Sequence, residues 1–175
     1  MNAIVIYKSK YGSTRAYAEY IANKLECRAE EVKNVSASEL LNYDAIIYGG
    51  GLYAEIINGV SFITKNINTL KDKKIAVFST GITPMDCREY YDGMVIEKNF
   101  KTGVPSNLRV FNFPGKMIHS ELSLPHRTAL SALKKIMSSK EKSTEMEMLL
   151  AELCDADGDF SDFSYANELI EYIMN

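Results

Sequence analysis

The chain has 175 residues, of which 46% are hydrophobic, and its formal net charge is −3. That length and composition favour one domain, 1–175, with a substantial core. No apolar run approaches the roughly 18 residues of a membrane-spanning helix, and the N-terminus has no basic flank, so we expect a cytoplasmic protein without a signal peptide. The acidic pI and the lack of aromatic residues among the basic ones exclude nucleic-acid binding as a function class.

Cysteine and histidine do not form any recognisable site in the sequence. Cys27, Cys87 and Cys154 are widely separated, which is typical of reduced thiols that act as small apolar residues. His119 and His126 have no metal-ligand spacing. The sequence therefore predicts no metal site, and no pair of residues indicates acid–base catalysis.

The first element predicted is a buried strand over Ala3–Tyr7, because five consecutive residues are apolar. A loop rich in hydroxyl groups follows, and from Thr14 apolar side chains recur every four residues, as in a helix. The first amides of a helix lack partners and attract anions. Ser9, Ser13 and Thr14 add hydroxyl donors, and Gly12 allows a positive φ. The loop favours phosphate binding; the alternative is a hydroxyl that only caps the helix.

Three further buried or partly buried strands are predicted beyond a weak, polar edge strand at 28–35. Apolar runs place them at 45–48, 75–78 and 108–113. Helical stripes are predicted between them over 59–67 and after Pro84, where Thr83 would be the N-cap. Strands that alternate with helices predict a doubly wound α/β fold: a five-stranded parallel sheet, order 2-1-3-4-5, with helices on both faces.

Residues 114–163 depart from this alternation and are interpreted as a helical insertion before the last helix. Helices are predicted from about 123 to 137 and from 144 to 154, and a final helix from 165 to 174. Residues 143–175 contain nine acids and no Lys or Arg, whereas the rest of the chain carries a net charge of +6. This acidic region is either a solvated surface or a docking surface for a basic redox partner.

Three loops follow buried strands: Ser9–Thr14, Gly49–Ala54 and Thr80–Met85. They suit ligand contact, since ligands of such sheets bind at the carboxyl ends of the strands. The first loop lacks the Gly-x-x-x-x-Gly-Lys-Ser/Thr and Gly-x-Gly-x-x-Gly patterns of nucleotide and dinucleotide sites. The second contains three glycines, which offer open amides or form a flexible turn. The third offers hydroxyl groups and the Gly81 amide, although a helix cap would explain Thr83.

The first loop, Ser9–Thr14, resembles the phosphate loop of the flavodoxins, Ser/Thr-x-Thr/Tyr-Gly-Ser/Asn-Thr. With the two other loops, the resemblance covers roughly residues 3–113 and the last helix, and it implies a flavodoxin-like fold that binds flavin mononucleotide (FMN). It implies that the first loop holds the phosphate and that the other two border the isoalloxazine ring. The cofactor-binding residues implied are Ser9, Lys10, Tyr11, Gly12, Ser13, Thr14, Gly50, Gly51, Leu52, Tyr53, Ala54, Thr80, Gly81, Ile82 and Thr83.

Two departures from the flavodoxins bear on function. The chain has no Trp, so the Trp/Tyr pair that encloses the ring in many flavodoxins is incomplete, and only Tyr53 is placed to stack. The insertion makes the layout more similar to flavodoxin-fold protoporphyrinogen dehydrogenases, which use FMN and a quinone acceptor. Residues 115–142 carry Lys116, Arg127, Lys134, Lys135, Lys140 and Lys142 against Glu121 and Glu141. This segment either contacts an anionic membrane surface or packs on the sheet.

Three functions are consistent with the sequence. The first is an FMN-binding redox protein that transfers electrons to and from partner proteins. The second is a quinone-dependent FMN dehydrogenase of the protoporphyrinogen oxidase type. The third is a binding or signalling module without flavin; a receiver domain would need a phosphorylatable Asp after a core strand, where Gly49 stands instead.

Overall fold

Five strands form a parallel sheet in the order β2-β1-β3-β5-β6 in the computed structural model, which describes residues 1–140 and 143–175. The predicted doubly wound α/β sheet of order 2-1-3-4-5 is therefore confirmed. A short strand, β4, pairs antiparallel with the end of β3. The strands are β1 Ala3–Lys8, β2 Arg28–Glu31, β3 Ala45–Tyr53, β4 Ile56–Ile57, β5 Lys74–Gly81 and β6 Leu108–Pro114.

Helical segments cover both faces of the sheet. Because successive side chains of a strand point to opposite sides, each central strand contributes residues to both cores. Val5 and Tyr7 of β1 belong to one core cluster, and Ile4 and Ile6 belong to the other. The first cluster lies under α1, Ser13–Lys24, and α6, Asn167–Met174. The second is covered by α2, Ser61–Thr64, and by the helical segment of residues 89–99. This layering explains the continuous apolar runs of the central strands.

Strand β3 is longer than predicted, since it continues through the glycines to Tyr53. The expectation of an open, glycine-rich loop from residue 49 was wrong, and packing explains the glycines. A Cβ on Gly49 would lie 2.2 Å from Cζ of Phe78, and a Cβ on Gly50 would lie 2.6 Å from the carbonyl oxygen of Asn58. The glycines therefore allow neighbouring groups to approach the strand closely.

The segment after β5 also differs from the prediction. Residues after Pro84 form turns, and Thr83 does not cap a helix; a π-helix spans Glu89–Val95 and continues as α3, Ile96–Asn99. The wider π turns place Tyr90 and Tyr91 in the core, edge to face at 5.1 Å between ring centroids. The segment is also tied to the turn before it, because the Tyr91 hydroxyl donates to the Thr83 carbonyl at 2.6 Å.

The insertion leaves the sheet after β6 and returns beside its own starting point. Strands β7, Lys116–Met117, and β8, Gly158–Asp159, pair antiparallel and join its two ends. Between them lie α4, Leu124–Ser138, and α5, Glu145–Leu153. Ser123 is the N-cap of α4, and Thr144 forms a capping box with Glu147 in α5. Glu141 and Lys142, which we counted in the basic segment, lie outside the described residues.

Candidate functional site

The hydroxyl-rich loop ends at the N-terminus of α1, where Gly12 is the N-cap with φ of +98°. Its amide donates to Ser9 Oγ at 3.2 Å, and its carbonyl accepts from Ala16. Within residues 1–140 and 143–175, no hydrogen bond engages the amides of Ser13 and Thr14. These donors lie at the positive end of the helix dipole, so the loop can accept a phosphate group.

The end of β3 forms the second wall of the site through a tight hairpin. Tyr53 pairs with Ile56, and the two residues between them, Ala54 and Glu55, have φ of +47° and +63°. Two consecutive positive φ values correspond to a type I′ turn, which usually contains Asn or Gly. The buried Asn99 side chain holds this turn: it accepts from the Ile57 amide at 2.9 Å and donates to the Glu55 carbonyl at 2.6 Å.

The end of β5 meets the phosphate loop through two buried hydroxyl groups. Thr14 Oγ1 and Thr80 Oγ1 lie 2.7 Å apart, and their residues are 3% and 6% exposed. One hydroxyl donates to the other, which leaves one hydrogen of the pair without an acceptor among the described residues. Because buried donors are normally satisfied, this hydrogen is available to an acceptor group of a ligand in the cavity.

The three loops open onto one cavity of about 650 Å³, within the range of small-molecule and cofactor sites. All the predicted cofactor residues line it except Lys10, Gly12 and Gly50. Gly50 is buried in β3 against residues 57–58, and Gly12 caps the helix beside the cavity. Lys10 points to the insertion, with Nζ at 3.2 Å from Ser123 Oγ. The structure thus brings the three loops together, and the individual flavin contacts stay predictions.

Comparison with known proteins agrees with this geometry. A family model described as flavodoxin domain matches residues 4–147. The chain belongs to the flavodoxin domain family. FMN is accordingly its cofactor, as the resemblance of the phosphate loop implied. The match extends through the insertion helix α4 and into α5.

Solved structures with similar folds include flavodoxins and a related protein. A flavodoxin from the domain Archaea is 20% identical, with a TM-score of 0.42 over 89% of this chain and 97% of that one. A flavodoxin, WrbA-like protein from Agrobacterium tumefaciens is 24% identical, with a TM-score of 0.41 over 49% of this chain and 62% of that one. A variant flavodoxin of Fusobacterium nucleatum bound to FMN is 18% identical, with a TM-score of 0.37 over 65% and 69%. No curated protein matches the chain.

The residues of this flavodoxin domain fit FMN in both polarity and space. The unpaired amides at α1 and the hydroxyl pair Thr14–Thr80 are suited to phosphate and ribityl oxygens. Leu52, Tyr53 and Ile82 also line the cavity and provide apolar surface for a flat ring. Polar and apolar groups in one cavity match the phosphate and the ring of FMN.

The insertion contributes a third wall that was not predicted as part of the site. Helix α4 lines the cavity with Leu130, Leu133 and Ile136, and α5 adds Leu150 and Leu153. We call α4 and α5 together the roof. The apolar stripe of α4 is visible in the sequence, but the sequence does not indicate which surface the stripe covers.

His126 also lies in the cavity, although the sequence assigned it no role. Its Nδ1 is 2.8 Å from the Tyr11 hydroxyl, and its Nε2 is 3.4 Å from Lys10 Nζ. An ammonium group can only donate, so Nε2 is the acceptor and Nδ1 carries the hydrogen. Ser123 completes the network, because its amide donates to the Tyr11 oxygen at 3.2 Å. We call these four residues the latch, since they join the phosphate loop to the start of α4.

The pKa values of two latch residues, His126 and Tyr11, and of Tyr53 are shifted. Burial and the neighbouring Lys10 charge lower the pKa of His126, which favours the neutral imidazole. Burial opposes ionisation of Tyr11, but hydrogen bonds with Ser123 and the Lys10 charge outweigh it and lower the pKa of that phenol. Burial raises the pKa of Tyr53 to about 12, and the His126 ring lies 5.0 Å from its ring. The His126 ring therefore packs against Tyr53, a contact that the sequence had not revealed.

Within residues 1–140 and 143–175, no group of three or more His, Cys, Asp or Glu residues could hold a metal ion. No helix in that part is long and apolar enough to cross a membrane. Cys154 lines the cavity, and burial raises the pKa of its thiol, so the thiolate is disfavoured.

Proposed function

We propose that this flavodoxin-domain protein transfers electrons through FMN held between the phosphate loop, the β3 hairpin and the end of β5. The observation that carries the proposal is the convergence of these three loops on one cavity that both polar and apolar groups line. FMN supplies the redox chemistry when bound, and the protein determines its position, exposure and potential.

The chain's own residues have distinct tasks in this proposal. The α1 amides and the Thr14–Thr80 pair bind the phosphate end, where the helix dipole favours negative charge. Leu52 and Tyr53 exclude water from one side of the ring, and Ile82 from the other. An apolar surround disfavours added charge on the ring, whereas amides beside it favour that charge, so these loops would set the potential.

The acidic region of residues 143–175 supports electron exchange with a basic protein. Glu152, Asp155 and Asp157 are exposed, and they lie at the end of α5 beside Leu153 and Cys154, which line the cavity. Negative charge close to the site would steer a positively charged partner toward it and would make the encounter sensitive to salt.

The first test is the visible absorbance of the freshly purified protein, followed by heat release and identification of the chromophore. We expect FMN in near-stoichiometric amount, and reduced protein that passes electrons to a basic c-type cytochrome more slowly as salt increases. Replacing Glu152, Asp155 and Asp157 by the corresponding amides should slow that transfer, while the reaction with a small neutral oxidant stays unchanged. A colourless protein that does not bind added FMN would exclude the proposal.

A second candidate function is a quinone-dependent FMN dehydrogenase, and the roof is the observation that favours it. No residue of α4 or α5 is buried, yet Leu130, Leu133 and Ile136 face the cavity. Such a surface would suit a small apolar substrate beside the ring. Leu133→Glu should then abolish quinone reduction, whereas Leu124→Glu, an exposed position of α4 outside the cavity, should not. Equal effects of the two variants would argue against an enzyme.

A further inference from the structure

Lys116 is the first residue of β7, which pairs with β8 in a two-stranded ribbon, and it lies against the N-terminus of α1. Its amide donates to Ser13 Oγ at 3.0 Å, which fixes its main chain beside the phosphate loop. Its side chain crosses Gly12: Cε is 3.9 Å from the position that a Cβ on Gly12 would occupy. The residue lines the cavity, and its side chain is only 25% exposed. The Lys116 side chain therefore lies beside the N-terminus of α1.

The ammonium group of Lys116 has a weak partner in the structure. Nζ lies 3.0 Å from Glu121 Oε2, and the Glu121 side chain is 51% exposed. Asp159, the cross-strand neighbour of Lys116, is also exposed; hydrogen bonds from Ser161 lower the pKa of its carboxyl, and the Lys116 charge adds to this. Ion pairs with exposed carboxylates are weak, so the ammonium group can exchange one for a better anion.

We propose that Lys116 is a cofactor-binding residue that the insertion adds to the phosphate site of this domain. The inference rests on the proposed function, because the anion that Lys116 would contact is the FMN phosphate. Glu121 then competes with the phosphate for the same ammonium group. The lysine within the phosphate loop itself, Lys10, is engaged in the latch with Ser123 and His126. The insertion thus supplies the cation at this end of the cavity.

This assignment gives opposite effects for the two members of the ion pair. Lys116→Gln keeps the first two methylene groups of the side chain but removes the charge, so FMN should bind about tenfold more weakly, as for a partly exposed charged hydrogen bond. Glu121→Gln removes the competitor, so FMN should bind roughly two- to fivefold more tightly. Riboflavin, which has the same ring without the phosphate, should bind all three proteins equally.

The experiment is a fluorescence titration of the full-length apoprotein with FMN and with riboflavin, at low and high salt. Lys135→Gln is the matched control, since Lys135 is an exposed lysine of the insertion that does not line the cavity. We expect wild type and Lys135→Gln to share one FMN affinity, and Lys116→Gln to lose FMN affinity and part of its salt dependence. Urea unfolding of each apoprotein checks that the fold is retained.

Three outcomes would overturn the inference. If Lys116→Gln weakens FMN and riboflavin equally, the side chain acts through packing and not on the phosphate. If wild type and Lys116→Gln bind FMN equally, the ammonium group does not contact the phosphate, and the proposed function is unaffected. If the wild-type protein binds neither flavin, the proposed function fails, and the inference fails with it.

Discussion

Replacing Asn99 tests how the hairpin between β3 and β4 is held in its conformation. Asn99 is buried in the second core and makes three hydrogen bonds: from the Ile57 amide, and to the carbonyls of Glu55 and Val95. Asn99→Ala leaves the buried Ile57 amide unpaired. An unsatisfied buried group costs about 1–3 kcal/mol and each lost hydrogen bond about 1 kcal/mol, so the free energy of unfolding should fall by about 2–4 kcal/mol.

The hairpin conformation makes Asn99 more important than a typical buried amide. Ala54 and Glu55 occupy the left-handed region, which costs non-glycine residues about 1–2 kcal/mol each, so the turn depends on its surroundings. Because both residues line the cavity, Asn99→Ala should also weaken FMN binding. Asn99→Asp retains the acceptor for Ile57 but loses both donated bonds, so we expect reduced stability for it as well.

The assay is urea unfolding of the apoprotein followed by circular dichroism, with Glu97→Gln as the control. Glu97 lies in α3, two residues before Asn99, and its side chain is exposed. A surface substitution of this kind should change the free energy of unfolding by about 0.5 kcal/mol or less. If Asn99→Ala destabilises the protein no more than Glu97→Gln does, the hairpin does not depend on the buried amide.

Three more predictions concern the phosphate loop, the β3 glycines and the latch. Ser13→Ala combined with Thr14→Ala should weaken FMN binding, measured by fluorescence titration, far more than it lowers the free energy of unfolding; equal losses would indicate a helix cap only. Gly49→Ala should cost about 1–3 kcal/mol in urea unfolding, because its Cβ would lie 2.2 Å from the Phe78 ring, and Phe78→Leu should recover part of that loss. The pKa of His126 is lower in the folded protein than in the unfolded chain, so the unfolded chain takes up its proton at higher pH. Below about pH 6.5 the wild type should therefore lose stability relative to His126→Gln. If the free energies of unfolding of the two proteins change with pH in parallel, this prediction is contradicted.

The sequence predicted the sheet well because its evidence is local. The apolar runs at Ala3–Tyr7 and around Val77 are short, flanked by polar residues and buried on both faces. Parallel strands then place their carboxyl ends at one edge, so the three ligand loops could be predicted to meet before any contact was known. The phosphate loop was predicted from six consecutive residues, and its contact with the FMN phosphate stays a prediction.

The errors come from contacts between residues distant in the sequence. Gly49 and Gly50 were interpreted as loop residues because three consecutive glycines usually interrupt a strand. Their neighbours, Phe78 and the main chain of Asn58, require glycine within the strand. Likewise, neither the π-helix around Tyr91 nor the loss of the Thr83 cap has a local signal, because the tyrosine hydroxyl donates to the Thr83 carbonyl at 2.6 Å.

The wall of the cavity formed by the insertion was missed for a related reason, and it changes how the whole site should be understood. The insertion starts at the carboxyl end of β6 and returns through the β7–β8 ribbon, at the same edge as the flavin loops. Phe160 donates its amide to the Gly115 carbonyl at 3.0 Å, which keeps both ends of the insertion close together. A segment anchored there must either cover the ligand edge or extend into solvent, and the apolar stripe of α4 favours covering it. The roof, the latch and Lys116 therefore belong to one segment anchored at this edge, and a ligand that contacts Lys116 or the latch would also stabilise the position of the insertion.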